Sequence, residues 1–324
     1  MSQIISRVRS RVRSIVLAGG LIGLVGVLTP VWFVHDRALR LVSVRRTGEV
    51  SAIPRVPASA TSIDELLASG QPVIVEGLAE HLGVGGAATS TSLRARVGDA
   101  TLDVAFHDAD SPYFLYSGGY GATIDHRRPM TVDAFLDMMF GPGPDPGSVV
   151  YQLLGVRACG GRVAAERDEF DRAVRAVTDH RTEARFSGIW IGSTGVVTPL
   201  HHDAWPGLLF QTEGRKRVAM YHPGDRPNLS FRTPLKGAGR WSDLPGRSSD
   251  ADLRRFPRLA RTRRLEAELG PGDTLYIPPF WPHEMEGLEP NISVPFRLAQ
   301  FRRSYLDPGF LRPASELVRA RLAA

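Results

Sequence analysis

From Thr198 onward the chain is mostly short apolar runs cut by glycine- and proline-bearing turns, and this limits its fold more than any other feature. GLLFQT (207–212) meets Glu213-Gly214 and returns as RKRVAMYH (215–222). LEAEL (265–269) meets Gly270-Pro271-Gly272-Asp273 and returns as TLYIP (274–278), and ISVPFRLAQF follows at 292–301. Short apolar runs bounded by such turns read as strands, and a glycine-bearing two-residue turn reads as a hairpin. Two β-hairpins are predicted, over 207–222 and 265–278. Between them, residues 226–262 form a polar excursion carrying Arg226, Arg232, Arg240, Arg247, Arg254, Arg255 and Arg258. It reads equally as a rim over a site or as a solvated loop.

The front half has a different rhythm. Ser62-Ile63-Asp64-Glu65 is a capping box, opening a helix that runs to about Ser69 and stops at Gly70. Further helices are predicted at 91–97, at 132–140 behind the cap Thr131, and at 162–179. Strands are predicted at PVIVEG (72–77), TLDVAF (101–106), VVYQLL (149–154) and FSGIWIG (186–192). Residues 47–61, rich in small side chains and holding Pro54 and Pro57, read as a linker. Helices in front and antiparallel strands behind predict an α+β domain built on a β-sandwich or barrel.

The chain carries a net charge of +6, which invites a nucleic-acid reading. Residues 1–46, however, hold eight arginines and one aspartate, a net +7, so the remainder carries −1. The basicity brackets Ser14–Val34, a run of 21 residues without a charge. Roughly 20 apolar residues span a bilayer core, so this run is predicted to be a single transmembrane anchor. Equal arginine clusters on its two sides leave the orientation open. The divisions expected are a basic tail (1–13), the anchor (14–34), a basic linker (35–52), a catalytic domain (53–305) and a C-terminal helical tail (306–324). The lone Cys159 excludes an intrachain disulfide framework and a multi-cysteine zinc site.

Chemistry concentrates in Thr198-Pro199-Leu200-His201-His202-Asp203. His201 and Asp203 are two apart, so on a strand they share a face and can reach one metal. An H-x-D pair alone is weak and also arises by chance on surfaces. His283, in GDTLYIPPFWPHEME, is the best third ligand, because antiparallel folding makes distant strands neighbours. Two histidines and one carboxylate leave metal positions open, as in non-haem Fe(II) oxygenases. By alternation Lys216 faces away from Arg215 and Arg217, and one inward lysine costs less than two inward arginines. An inward Lys216 would bind the carboxylate of an acidic co-substrate; a solvated basic turn is the plain alternative. His107, His126, His180 and His222 are assigned to packing or solvent.

Residues 198–223 and 265–297 resemble the two signature blocks of the cupin-like JmjC Fe(II)/2-oxoglutarate oxygenases, a group that includes an asparaginyl hydroxylase acting on hypoxia-inducible factor. The likeness extends upstream through residues 53–80 and VVYQLL and covers about residues 50–305. It implies a double-stranded β-helix (jelly-roll) barrel behind N-terminal helices. It also implies Fe(II) on His201, Asp203 and His283, and 2-oxoglutarate held by Lys216 with the hydroxyls of Thr198 and Tyr151. The sequence departs from the family pattern at Gly207 and Pro295, where asparagines are expected, at Phe280, which replaces a glycine, and at His202, where tyrosine is common.

The resemblance implies a dioxygenase that uses O2 and hydroxylates a protein or peptide side chain or a small molecule, releasing succinate and CO2. Two alternatives stay open: a catalytically silent cupin-fold binding protein, motivated by Gly207 and Pro295, and a cupin using Mn(II) or Zn(II) for other chemistry. No nucleic-acid partner is expected, and a homodimer is compatible with this reading. Cytosolic supplies of iron and 2-oxoglutarate place the catalytic domain in the cytoplasm, held at the membrane by 14–34; a soluble cytoplasmic protein is the alternative.

Overall fold

The computed structural model describes residues 49–108, 124–155, 158–178, 183–186, 188–203, 205–231, 241–244 and 254–299. The predicted basic tail, the anchor at 14–34, the linker up to residue 48 and the tail at 306–324 lie outside the described residues, as does His180. Among the described residues, no helix is long and apolar enough to cross a membrane.

The first elements are β1 (Glu49–Ala52), β2 (Arg55–Pro57), α1 (Ile63–Ser69), β3 (Val73–Glu76), α2 (Leu78–His81) and α3 (Ser90–Val97). Next come β4 (Thr101–Asp108), β5 (Ile124–Thr131), α4 (Val132–Phe140), β6 (Ser148–Leu154) and α5 (Ala164–Val177). The chain continues with β7 (Glu183–Phe186), β8 (Ile189–Gly192), β9 (Val197–His201), β10 (Gly207–Glu213) and β11 (Lys216–Tyr221). It then runs through β12 (Arg263–Leu269), β13 (Asp273–Ile277), β14 (His283–Gly287) and β15 (Asn291–Ala299). The capping box forms as its sequence requires: Ser62 Oγ accepts from the Glu65 amide at 3.2 Å, and Glu65 accepts from the Ser62 amide at 2.8 Å. Gly70, at φ 61°, ends α1 in the left-handed region.

The strands form a five-stranded sheet, β1-β12-β11-β14-β9, and a larger one, β2-β3-β13-β10-β15-β8-β6-β4-β5, with β7 also paired to β15. From β8 to β15, successive strands switch sheets at every step except β11 to β12, which the excursion separates. This winding is consistent with the expected jelly roll.

It also corrects the two hairpins. β10 pairs with β13 and β15, whereas β11 pairs with β12 and β14. β12 and β13 likewise lie in different sheets. The turns are where glycine places them, but the strands they join do not pair with each other. β10 is buried from Gly207 to Gln211 on both faces, so it needs a strand on each edge and cover on each side, which a two-stranded ribbon does not provide. The turn at Gly214 (φ 65°) is instead pressed against the β14–β15 connection. A Cβ there would lie 2.0 Å from the Pro290 carbonyl oxygen, which makes glycine obligatory. The predicted linker 47–61 is a second correction, because β1 and β2 lie within it. β1 adds in parallel to β12 and β2 to β3, by backbone pairing that small side chains do not advertise.

Three apolar layers hold the domain together. Leu208, Phe210, Val294 and Phe296 on one face of the larger sheet pack with Leu93, Phe135 and Phe170 from the helices. Between the sheets lie Leu209, Leu275 and Ile277, facing Val218 and Met220. On the far side of the smaller sheet, Leu200, Ala219 and Tyr221 are covered by Leu229, Phe231, Leu244 and Leu259 of the excursion.

Candidate active site

His201 closes β9 and His283 opens β14; the strands pair antiparallel with these residues opposite each other. Asp203 follows two residues beyond the end of β9. The three residues are buried, and each brings a ligand atom within 4.8 Å of the others. Nδ1 of His201 lies 2.8 Å from the Pro199 carbonyl oxygen, and Nδ1 of His283 lies 2.9 Å from that of Trp281. A carbonyl only accepts, so each Nδ1 carries the proton and each Nε2 keeps its lone pair for a metal. Burial pushes the Asp203 carboxyl up, but the positive charges of Arg297 and of His201 and His283 when protonated outweigh it and hold the group below the ordinary carboxylate range. Two neutral imidazole nitrogens and one ionised carboxylate fit a divalent first-row metal with positions left open.

Strict alternation would turn Thr198 away from the face that His201 uses, three residues on. The β9 ladder resolves this with a bulge: His201 faces His283, while Thr198 faces Met285, two residues along β14. Both side chains therefore line one cavity of about 100 Å³, together with Tyr151, Asp203 and Lys216.

Lys216 is 4% exposed, while Arg215 and Arg217 point outward onto Glu289 and Glu286, as alternation predicts. Lys216 Nζ donates to Ser293 Oγ at 2.7 Å and lies 5.9 Å from the Tyr151 ring centre. Burial pushes the ammonium down to about 7 and the Tyr151 phenol up to about 12, the latter moderated by Thr198. Thr198 Oγ1 lies 3.4 Å from the Tyr151 hydroxyl. A carboxylate entering this end would find a desolvated cation and two hydroxyls, a chemical match for one end of 2-oxoglutarate.

The departures from the family pattern each have a place. Phe280 adopts φ 63°, the left-handed conformation that explains why glycine suits this position, and its amide donates to the Asp203 carbonyl at 2.7 Å. His202 points away from the ligands, with its ring 5.3 Å from Phe231 and 5.7 Å from Phe280. Pro295 falls between the stretches where β15 pairs with β8 and with β7, so its missing amide hydrogen sits at a break in that ladder. Gly207 opens β10 opposite Arg297.

Sequence reasoning missed three residues here. Ser293 and Arg297 share the inward face of β15 with Pro295, and a period of two from Pro295 would have found both. Trp241 comes from the excursion and stacks on His201 at 4.4 Å with the rings 23° apart. No local signal marks it. His107 and His222 lie outside the ligand cluster: His107 is buried in β4, and His222 Nδ1 accepts from the Gly224 amide.

A family model described as a cupin-like domain matches residues 58–296. HSPB1-associated protein 1 of Rattus norvegicus is 39% identical over 106 residues, 32% of this chain and 22% of that protein. Jumonji C domain-containing protein 5 of Drosophila melanogaster is 33% identical over 107 residues, 33% of this chain and 26% of that protein. tRNA wybutosine-synthesizing protein 5 of Danio rerio is 35% identical over 113 residues, 35% of this chain and 32% of that protein. In each of these the match spans less than a third of the relative's length.

Proposed function

The chain belongs to the cupin-like domain family, and from that premise we propose that it is an Fe(II)- and 2-oxoglutarate-dependent oxygenase hydroxylating a protein or peptide side chain or a small molecule. The observation that carries this reading is that one cavity is lined by His201 and Asp203, members of the buried His201–Asp203–His283 cluster, and by the buried cation Lys216. Bound there, Fe(II) would couple O2 reduction to decarboxylation of 2-oxoglutarate to succinate and CO2. His201 and His283 would offer their Nε2 lone pairs and Asp203 its charge. Lys216 would pair with the distal carboxylate of the co-substrate, helped by Thr198 and Tyr151. The apolar walls between the sheets would exclude water and strengthen each of these polar contacts.

Anaerobic Fe(II) titration followed by a succinate-release assay tests the reading. Folded protein that neither binds nor consumes 2-oxoglutarate would refute it. Gly207 and Pro295 favour the second reading, a silent cupin-fold binding protein; His201→Ala without effect on the cellular role would support that one. The substrate screen takes proteins, small molecules and, because one relative is named a tRNA wybutosine-synthesizing protein, tRNA. We further propose that residues 14–34 anchor the chain in a membrane with domain 53–305 in the cytoplasm. A reporter fused after Ala324 and read on the other side would overturn that orientation.

A further inference from the structure

Arg297 follows Ser293 and Pro295 along the inward face of β15, and its Nη1 donates to Asp203 Oδ2. The loop bearing Asp203 is tied to the same strand, since the Leu298 amide donates to the Pro206 carbonyl at 2.9 Å. Directly across the ladder from Arg297 stands Gly207. Side chains opposite each other on antiparallel strands start about 5 Å apart, so a longer residue at 207 would enter the space through which the arginine reaches Asp203. The backbone does not itself demand glycine there. A Cβ at 207 would meet the Phe296 carbonyl oxygen at 3.7 Å and Ile277 Cβ at 4.0 Å, ordinary contact distances. The glycine is thus not explained by local conformation, whereas the arginine opposite explains it.

We propose that Arg297 is a positioning residue for the metal centre: it holds Asp203 by Oδ2 so that Oδ1 alone faces the two imidazoles, and Gly207 supplies the space for it. Asp203 is 7% exposed, and taking away its cationic partner leaves a buried carboxylate whose second oxygen can turn toward the metal. The same strand thereby serves both ends of the cavity, with Ser293 on Lys216 and Arg297 on Asp203. The inference rests on the oxygenase reading only in requiring a divalent metal on the cluster.

Titration of metal-free full-length protein with Co(II), followed by its d–d absorption and by calorimetry, tests it without turnover. Arg297→Met is expected to weaken Co(II) binding by about 10- to 100-fold and to change the d–d intensity as the carboxylate becomes bidentate. Arg297→Lys should recover most of the loss. Gly207→Asn, which keeps the arginine but fills its path, should lose affinity in the same direction. Unchanged or tighter Co(II) binding in Arg297→Met, or in Gly207→Asn if the methionine variant does not fold, overturns the proposal. Failure of the unmodified protein to bind Co(II) would count against the oxygenase reading instead.

Discussion

Lys216 places a positive charge between two sheets, where Ser293 Oγ accepts its hydrogen bond. With its folded value pushed down to about 7 and an ordinary value of 10.5, the unfolded chain holds a proton that the folded chain lacks between those limits. Metal-free stability should therefore rise with pH across that window, and urea midpoints at pH 7 and pH 9 measure it. Lys216→Met should flatten the rise and melt higher than the parent, because it removes an uncompensated buried charge. The same variant should lose about 2–5 kcal/mol of 2-oxoglutarate affinity, read by calorimetry on the Co(II) form. In the parent, 2-oxoglutarate binding above pH 7 should take up a proton, visible as a dependence of binding enthalpy on buffer. At this scale the sequence was informative where chemistry repeats every two residues. Lys216 against its two arginines follows from alternation, and the two-residue spacing marks His201 with Asp203 although Asp203 lies past the end of β9. Thr198 does not, because its orientation depends on a bulge whose register involves β14, almost ninety residues away.

Turns were legible and partnerships were not. Gly214 and the Gly270–Asp273 turn stop their strands where expected, yet β10 and β11 part into different sheets. Turn chemistry is local, whereas the choice of partner is settled by which faces must be buried. The excursion shows the same division. Its arginines drew attention in the sequence, but its described structural contribution is apolar, with Phe231, Leu244 and Leu259 seated on Leu200 and Tyr221. From that small core Trp241 reaches His201, and the Ser242 amide donates to the Leu200 carbonyl at 2.9 Å along the edge of β9. Phe231→Ala should loosen this element alone. Hydrogen exchange is expected to quicken in 222–231 and 241–244 while β10, β13 and β15 stay protected. Equal quickening throughout would show that the excursion is not a separate cooperative unit. Trp241→Ala should leave Co(II) affinity nearly unchanged, since the stacked ring donates nothing to the metal.

For the whole domain, the larger sheet is the load on which the others rest. Phe210 and Phe296 are fully buried between it and the helices, with Phe170 5.1 Å from Phe210. Phe296→Ala should cost about 3–5 kcal/mol of global stability, measured by urea unfolding. A change under about 1 kcal/mol would mean that the helices pack on the sheet only loosely. The sheet-switching path has a consequence for how the protein is made. His201 and Asp203 are synthesised 82 and 80 residues before His283, and Arg297 comes later still. On the proposed reading a nascent chain displays two of the three ligands, and the third arrives only with β14, after the excursion, β12 and β13 have been made. Metal loading of the proposed centre would in this sense be a proof of completion, withheld from any product that stops short of β14.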